Sequence, residues 1–131
     1  MQFYLAVKGI IRKEDEILIL KRNAQDEHAP NVWETPGGGV DEKILPQEAL
    51  LKEVEEETGL KIKVGEPFNV FTFVKDSGEY KAGITFLCEY ISGEVVLSDE
   101  HSDFRWIKPE DFKNFPSIPS LYQEIARYAK K

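Results

Sequence analysis

Apolar residues recur with a short, strand-like period along most of this chain and shift to a helical period in two stretches, Pro46 to Thr58 and Leu121 to Lys130. Phe3 to Ile11 is rich in β-branched and aromatic residues, Lys13-Glu14-Asp15 is a polar turn, and Glu16 to Arg22 returns through Ile17-Leu18-Ile19-Leu20, which predicts a hairpin. Asn23 to Asn31, with Ala29-Pro30, has no period and predicts a loop, and Val32-Trp33-Glu34 predicts a short strand running into Pro36 and three glycines. Pro46 then opens a helix that Gly59 closes, the usual placement of proline inside a start and glycine past an end. Lys61 to Val64, Phe68 to Lys75, Tyr80 to Ile91 and Glu94 to Leu97 predict four strands, separated by the turn signals Gly65, Ser77-Gly78 and Ser92-Gly93. Phe104 to Ile107 predicts another strand and Pro109 to Phe112 a short helical turn. The closing helix carries Ile125 and Tyr128 on its apolar side. Strands before, between and after two helices predict an α+β fold with helices packed on a mixed sheet. The 131 residues fit one domain spanning the whole chain, with no linker, repeat or low-complexity tract.

At about 100° per residue, Gln47, Leu50, Leu51, Val54 and Thr58 form the expected core stripe of the first helix, and Glu53, Glu56 and Glu57 fall together beside it. Like charges spaced i, i+3 and i+4 cost a helix about 0.2 to 0.5 kcal/mol per pair, so something should offset them. Two readings are open. The cluster is either a solvated acidic face or, with the backbone of Gly37 to Gly39 approaching it, a set of oxygen ligands for a hard divalent cation, Mg²⁺ or Mn²⁺.

Charge narrows the partners. Lys plus Arg number 17 and Asp plus Glu 24, a formal charge of −7, the wrong sign for gripping a nucleic-acid polymer. A small phosphorylated ligand remains compatible, because a bound cation reverses the local sign. No apolar run approaches the roughly 20 residues of a membrane span, and Met1-Gln2-Phe3-Tyr4 lacks the basic start of a signal peptide, so a cytoplasmic protein with no membrane partner is expected. The single cysteine, Cys88, lies in an apolar run and reads as a buried structural thiol. His28 and His101 are too few and too far apart for a zinc motif and read as surface or loop residues. Trp33, Phe71, Phe73 and Tyr80 read first as core, with Tyr80 and Phe73 as candidates for stacking on a base.

Gly38, Glu53, Val54, Glu56, Glu57, Gly59 and Leu60 stand in register with the Nudix box, whose pattern is Gly, five residues, Glu, seven residues, Arg-Glu-apolar-x-Glu-Glu-x-Gly-apolar. The likeness to that family extends further. Ala6 to Arg22 resembles its opening hairpin, Trp33 to Gly38 its approach to the box, and Glu100 to Trp106 a later acidic element ending in Arg-Trp. The resemblance implies a mixed-sheet sandwich flanked by helices and metal-dependent hydrolysis of a nucleoside diphosphate linked to another group. It implies that Glu56, Glu57 and the Gly37 carbonyl ligate Mg²⁺ or Mn²⁺ and that Glu53 is the general base or a further ligand. It also makes Glu100 a candidate fourth carboxylate and Arg22 a candidate phosphate contact, with Gly38 and Gly59 structural.

Two positions of the box depart from its pattern: its first glutamate is Ile44 and its arginine is Lys52. Lysine keeps the charge but loses the planar fork that can hold Glu53 in two bonds, so slower chemistry is expected. Leu45 stands at the expected N-cap, and the Ile44-Leu45 pair suggests packing against the C-terminal helix or a second subunit, in a monomer or a homodimer. These departures keep open a non-catalytic reading, a nucleotide sensor on the same fold. Selectivity is expected from the loops Asn23 to Asn31 and Lys113 to Ser120, and the short chain tilts the expected substrate towards nucleoside triphosphates over nucleotide sugars.

Overall fold

The computed structural model describes residues 4–41, 43–74 and 77–131. Seven strands run as β1 (Tyr4–Lys13), β2 (Glu16–Arg22), β3 (Trp33–Glu34), β4 (Gly37–Gly39), β5 (Lys61–Val74), β6 (Tyr80–Ser92) and β7 (His101–Ile107). Helix α1 (Pro46–Thr58) lies between β4 and β5, and a 3₁₀ turn at Pro109–Asn114 precedes helix α2 (Pro119–Ala129). The expected strand ends at Phe3 and Lys75 lie outside the described residues.

The sheet is mixed. Its path is β3-β2-β1-β6-β5, in which only β1 and β6 run parallel, while β4 pairs with β1 and β7 with β2. Strand β1 is shared along its length: Ala6, Val7 and Lys8 face Gly39, Gly38 and Gly37 of β4, and Arg12 and Lys13 face β2 across the turn at Glu14. The glycine triplet, expected as an approach to the helix, is therefore itself a strand.

The run Ile17-Leu18-Ile19-Leu20 is fully buried because both faces of the sheet are covered. Leu18 and Leu20 join Val7, Leu50, Val54 and Phe86 under α1, whereas Ile17 and Ile19 join Ile10, Trp33, Phe112 and Ile125 under α2. The result is a helix–sheet–helix sandwich. Among the described residues no helix is long and apolar enough to cross a membrane.

Four expectations need correction. Gly65 is no turn: the strands expected at Lys61 to Val64 and from Phe68 are one strand, β5, whose pairing with β6 shifts register between Val64 and Asn69. Glu94 to Leu97 forms no strand, because the Val96 N–H donates to the Thr58 carbonyl (2.9 Å) and the Ser98 N–H to the Glu57 carbonyl (3.2 Å), so the segment caps the C-terminal end of α1. The buried arc of α1 is rotated from the expected stripe: Gln47 and Leu51 are exposed, and Ala49 and Glu57 are buried. Ile44 packs on the core beneath α1, not on the C-terminal helix, and Leu45 stays exposed. Leu45 is the N-cap, as expected, and makes no side-chain cap bond.

Candidate active site

Gly59 ends α1 in the left-handed region (φ 75°), its N–H donating to the Glu55 carbonyl, and this fixes the last helical turn with its glutamates against the sheet. That turn faces β4. The Gly37 N–H donates to Glu57 Oε1 at 3.1 Å, and Glu57 is only 6% exposed. Burial pushes its carboxyl up to about 7, against the opposing pull of Lys8, the Gly37 bond and His101. Glu53 lies on the next glycine: a Cβ on Gly38 would stand 2.6 Å from Glu53 Oε2. Burial and then the charges of Glu56 and Glu100 raise the Glu53 carboxyl as well, and Lys52 only partly opposes them. Three of the predicted acidic residues thus sense one another, although Glu56 and Lys52 are themselves exposed.

Glu100 reaches the same place from the turn before β7. Ligand atoms of Glu57, Glu100 and His101 all lie within 4.8 Å of one another, and Glu100 is exposed. The expectation for His101 was wrong. It is the first residue of β7, buried to 6% exposure, with Nε2 at 2.8 Å from Glu34 Oε2 and a buried Nδ1 that has no hydrogen-bond partner among the described residues. Its burial follows from the register of β7 on β2, which opposes it to Arg22 at a bulge, and the sequence around it carries no periodic signal for this. His28, by contrast, lies in an exposed loop.

Glu34 organises the basic side of the site. Its Oε1 accepts from Lys8 Nζ (3.3 Å) and Arg22 Nη1 (3.1 Å), and its Oε2 meets His101. Burial would raise this carboxyl, but Lys8, His101 and Arg22 together outweigh it and hold it at about 2. Arg22 also binds Asp26 through Nε (3.1 Å) and Nη2 (2.7 Å), which leaves two of its five N–H donors for a ligand. Lys8 and Glu34 were not singled out in the sequence; Lys8 interrupts the apolar run of β1, the one signal that could have found it.

These groups line a cavity of about 600 Å³ that includes Lys8, Arg22, Gly37, Gly38, Glu57 and Glu100. A second cavity of about 320 Å³ opens beside it beneath α2 and shares Lys8, Arg22, Glu34, Phe71 and Phe73 with the first. Both expected selectivity loops reach these cavities, through Asn23, Gln25 and Asp26 in one and Ser117, Ile118 and Ser120 in the other. Trp33 belongs to the core, Phe71 and Phe73 stack at 6.0 Å, and Tyr80, 65% exposed, lines neither cavity. Cys88 is buried and burial pushes its thiol up to about 12, as a structural thiol requires.

The donor set fits a hard divalent cation. Several carboxylates converge on one wall, Glu57 is buried beyond what its protein partners offset, and an adjoining peptide strand of glycines admits close approach.

Residues 3–128 match the family model of the NUDIX domain. The ADP-ribose pyrophosphatase of Methanocaldococcus jannaschii is 29% identical over 124 residues, covering 94% of this chain and 70% of that protein. The CTP pyrophosphohydrolase of Escherichia coli (strain K12) is 28% identical over 123 residues, covering 92% and 87%. The crystal structure of a MutT protein from Methanosarcina mazei Go1 superposes with a TM-score of 0.82 at 27% identity, covering 98% of this chain and 96% of that one.

Proposed function

The chain belongs to the Nudix family and is a hydrolase of that family, and on that premise we propose that it is a Mg²⁺- or Mn²⁺-dependent pyrophosphohydrolase whose substrate is a nucleoside triphosphate. The products are a nucleoside monophosphate and pyrophosphate. The observation that carries this reading is the buried Glu57, held up to about 7 and within 4.8 Å of Glu100, on the same helix as Glu53 and Glu56 and against the Gly37 backbone. A solvated acidic face would not bury one of its members.

In this reading Glu56, Glu57, the Gly37 carbonyl and Glu100 hold the cation, with Glu53 as base or further ligand. A divalent cation bound there would supply positive charge to offset that of the phosphates and would make water more acidic. The remaining steps belong to the chain. Glu53, its carboxyl raised by burial and by its neighbours, takes the proton of the attacking water. The water oxygen bonds to phosphorus, the anhydride P–O bond breaks, and its electron pair leaves with pyrophosphate. Lys52 lowers the charge cost of the neighbouring Glu53, and Arg22, anchored on Asp26 and Glu34, offers its two spare N–H groups to phosphate oxygens.

Product analysis tests the reaction type. Chromatography after incubation of a nucleoside triphosphate with Mg²⁺ should show monophosphate and pyrophosphate in equal amounts. Nucleoside diphosphate with orthophosphate would place the cut at the wrong bond and contradict the assignment.

A further inference from the structure

We propose that two copies of this chain form a twofold dimer by pairing the outer edge of β5 with itself, antiparallel and centred on Thr72. The sheet path ends at β5, which pairs only with β6 among the described residues, so its outer side presents backbone N–H and C=O groups with no strand beside them. Such an edge is a template for another chain, and folded proteins blunt it with charge, proline and bulges. The first half of β5 carries these devices. Lys61, Lys63 and Glu66 are charged, Pro67 lacks a donor, and the register on β6 shifts three times between Lys61 and Asn69. Arg127 Nη2 also donates to the Phe68 carbonyl at 3.2 Å.

The second half carries none of them. From Asn69 to Val74 the ladder on β6 runs without a shift and no residue is charged, yet Val70 is 70% exposed, Val74 56% and Phe73 38%. The sequence of this half points to its occupant, because Val70-Phe71-Thr72-Phe73-Val74 reads the same from either end. Laid antiparallel on a second copy about an axis through Thr72, it sets Val70 opposite Val74, Phe71 opposite Phe73 and Thr72 opposite Thr72. Each of these is a favourable cross-strand pair. Whichever alternate residues turn their backbone groups outward, the same axis brings matching sets face to face, so the ladder closes in this register.

Paired residues in this register share a face, so the axis stands perpendicular to the sheet and both copies carry α1 on the same side. On that side Val70 adjoins Ile84, which packs on the core beneath α1, and Val74 adjoins Tyr80, 65% exposed. The apolar surface that α1 leaves uncovered thus continues from one copy into the other. On the opposite side Phe71 and Phe73 line the two cavities, and each copy's Phe73 extends the aromatic wall of the other. A self-complementary contact uses up the edge that makes it, so association stops at two copies. The formal charge of −7 on each chain opposes approach while the paired segment holds no charge, so added salt favours the dimer.

Sedimentation equilibrium of the full chain is the test. At about 100 µM, which populates a contact with a micromolar Kd, the native protein should show twice the 15.0 kDa of one chain, and added salt should not dissociate it. Thr72→Lys and Thr72→Glu each place like charges face to face on the axis and should each weaken association about tenfold or more. An equimolar mixture of the two variants should recover the doubled mass, because opposite charges then meet at the same point. A native protein that keeps the mass of one chain would overturn the proposal and leave the edge to a strand of another protein. A dimer that either substitution leaves unweakened, or a mixture no heavier than its components, would overturn it too, since neither fits Thr72 facing itself. Should a variant lose its cooperative melting transition, Val74→Lys replaces the pair: at this exposed position it should keep the fold and weaken the dimer about tenfold, and an unweakened dimer would overturn the proposal.

Discussion

Gly37 and Gly38 are neighbours with different reasons for being glycine. A Cβ at Gly37 would collide with the Val7 carbonyl of β1, a backbone atom that cannot yield, whereas one at Gly38 would meet the carboxyl of Glu53 at 2.6 Å, the far end of a flexible side chain. Gly37→Ala is therefore expected to destabilise the fold by about 1 to 3 kcal/mol or more, read by thermal denaturation. Gly38→Ala should leave Tm almost unchanged and lower kcat by about tenfold or more by displacing the base, since small misplacements of reacting groups cost that much. A Gly38→Ala enzyme with native kcat would show that Glu53 does not act from this position. Glu57 gives a second residue-level prediction. Its folded-state value of about 7 lies above the ordinary 4.5, so the folded protein holds this proton more tightly than the unfolded chain does. The associated stability is present below about pH 4.5 and is lost as pH rises to 7, a loss on the order of 3 kcal/mol in metal-free protein. Glu34, held at about 2, acts in the opposite sense: its stability is present above about pH 4.5 and lost as pH falls towards 2, so its slope fades as pH rises through the window. In chelator, Glu57→Gln should flatten the fall in Tm between pH 5 and 8; an unchanged slope would mean that Glu57 is solvated.

At the level of elements, α1 begins weakly and ends firmly. Leu45 offers no side-chain acceptor at its N-terminus although Glu48 stands at N3 ready for a reciprocal bond, and the side chain is 62% exposed. Leu45→Ser should stabilise the protein by about 1 kcal/mol with kcat unchanged, and a lower Tm would show that the leucine makes contacts of its own. The C-terminal end of α1 is held by Gly59 and by the segment that donates from Val96 and Ser98, which places Glu53 beside the charge of Lys52 and Glu57 within the pull of Lys8. Much of this element was legible in the sequence. Pro46, Gly59 and the 3.6-residue period marked the helix, and the spacing of Glu53, Glu56 and Glu57 marked its chemistry. The rotation of the buried arc onto Glu57 was not legible, because an acidic residue carries no apolar signal and its burial is decided by the Gly37 N–H across a tertiary contact.

For the whole molecule, the same distinction explains what the sequence left out. The sandwich follows from alternation within strands and from a run, Ile17 to Leu20, that only a sheet covered on both faces can bury. Residues brought together by tertiary packing were invisible: His101 and Glu34, separated by 67 positions, and Thr85 and Glu124, separated by 39. The formal charge of −7 and the converging carboxylates also make the apo protein self-repelling around its site. Saturating Mg²⁺ or Mn²⁺ should raise Tm by linkage, about 2.7 kcal/mol at a hundredfold excess over Kd, and should do so less in Glu57→Gln.

The most direct measurement is turnover of a nucleoside triphosphate with Mg²⁺, then with chelator, by the native protein and by Glu53→Gln. The account predicts turnover that chelator abolishes and that the substitution lowers by at least about a hundredfold, the usual contribution of a general base. Undiminished turnover in chelator, or a fully active Glu53→Gln, would contradict it.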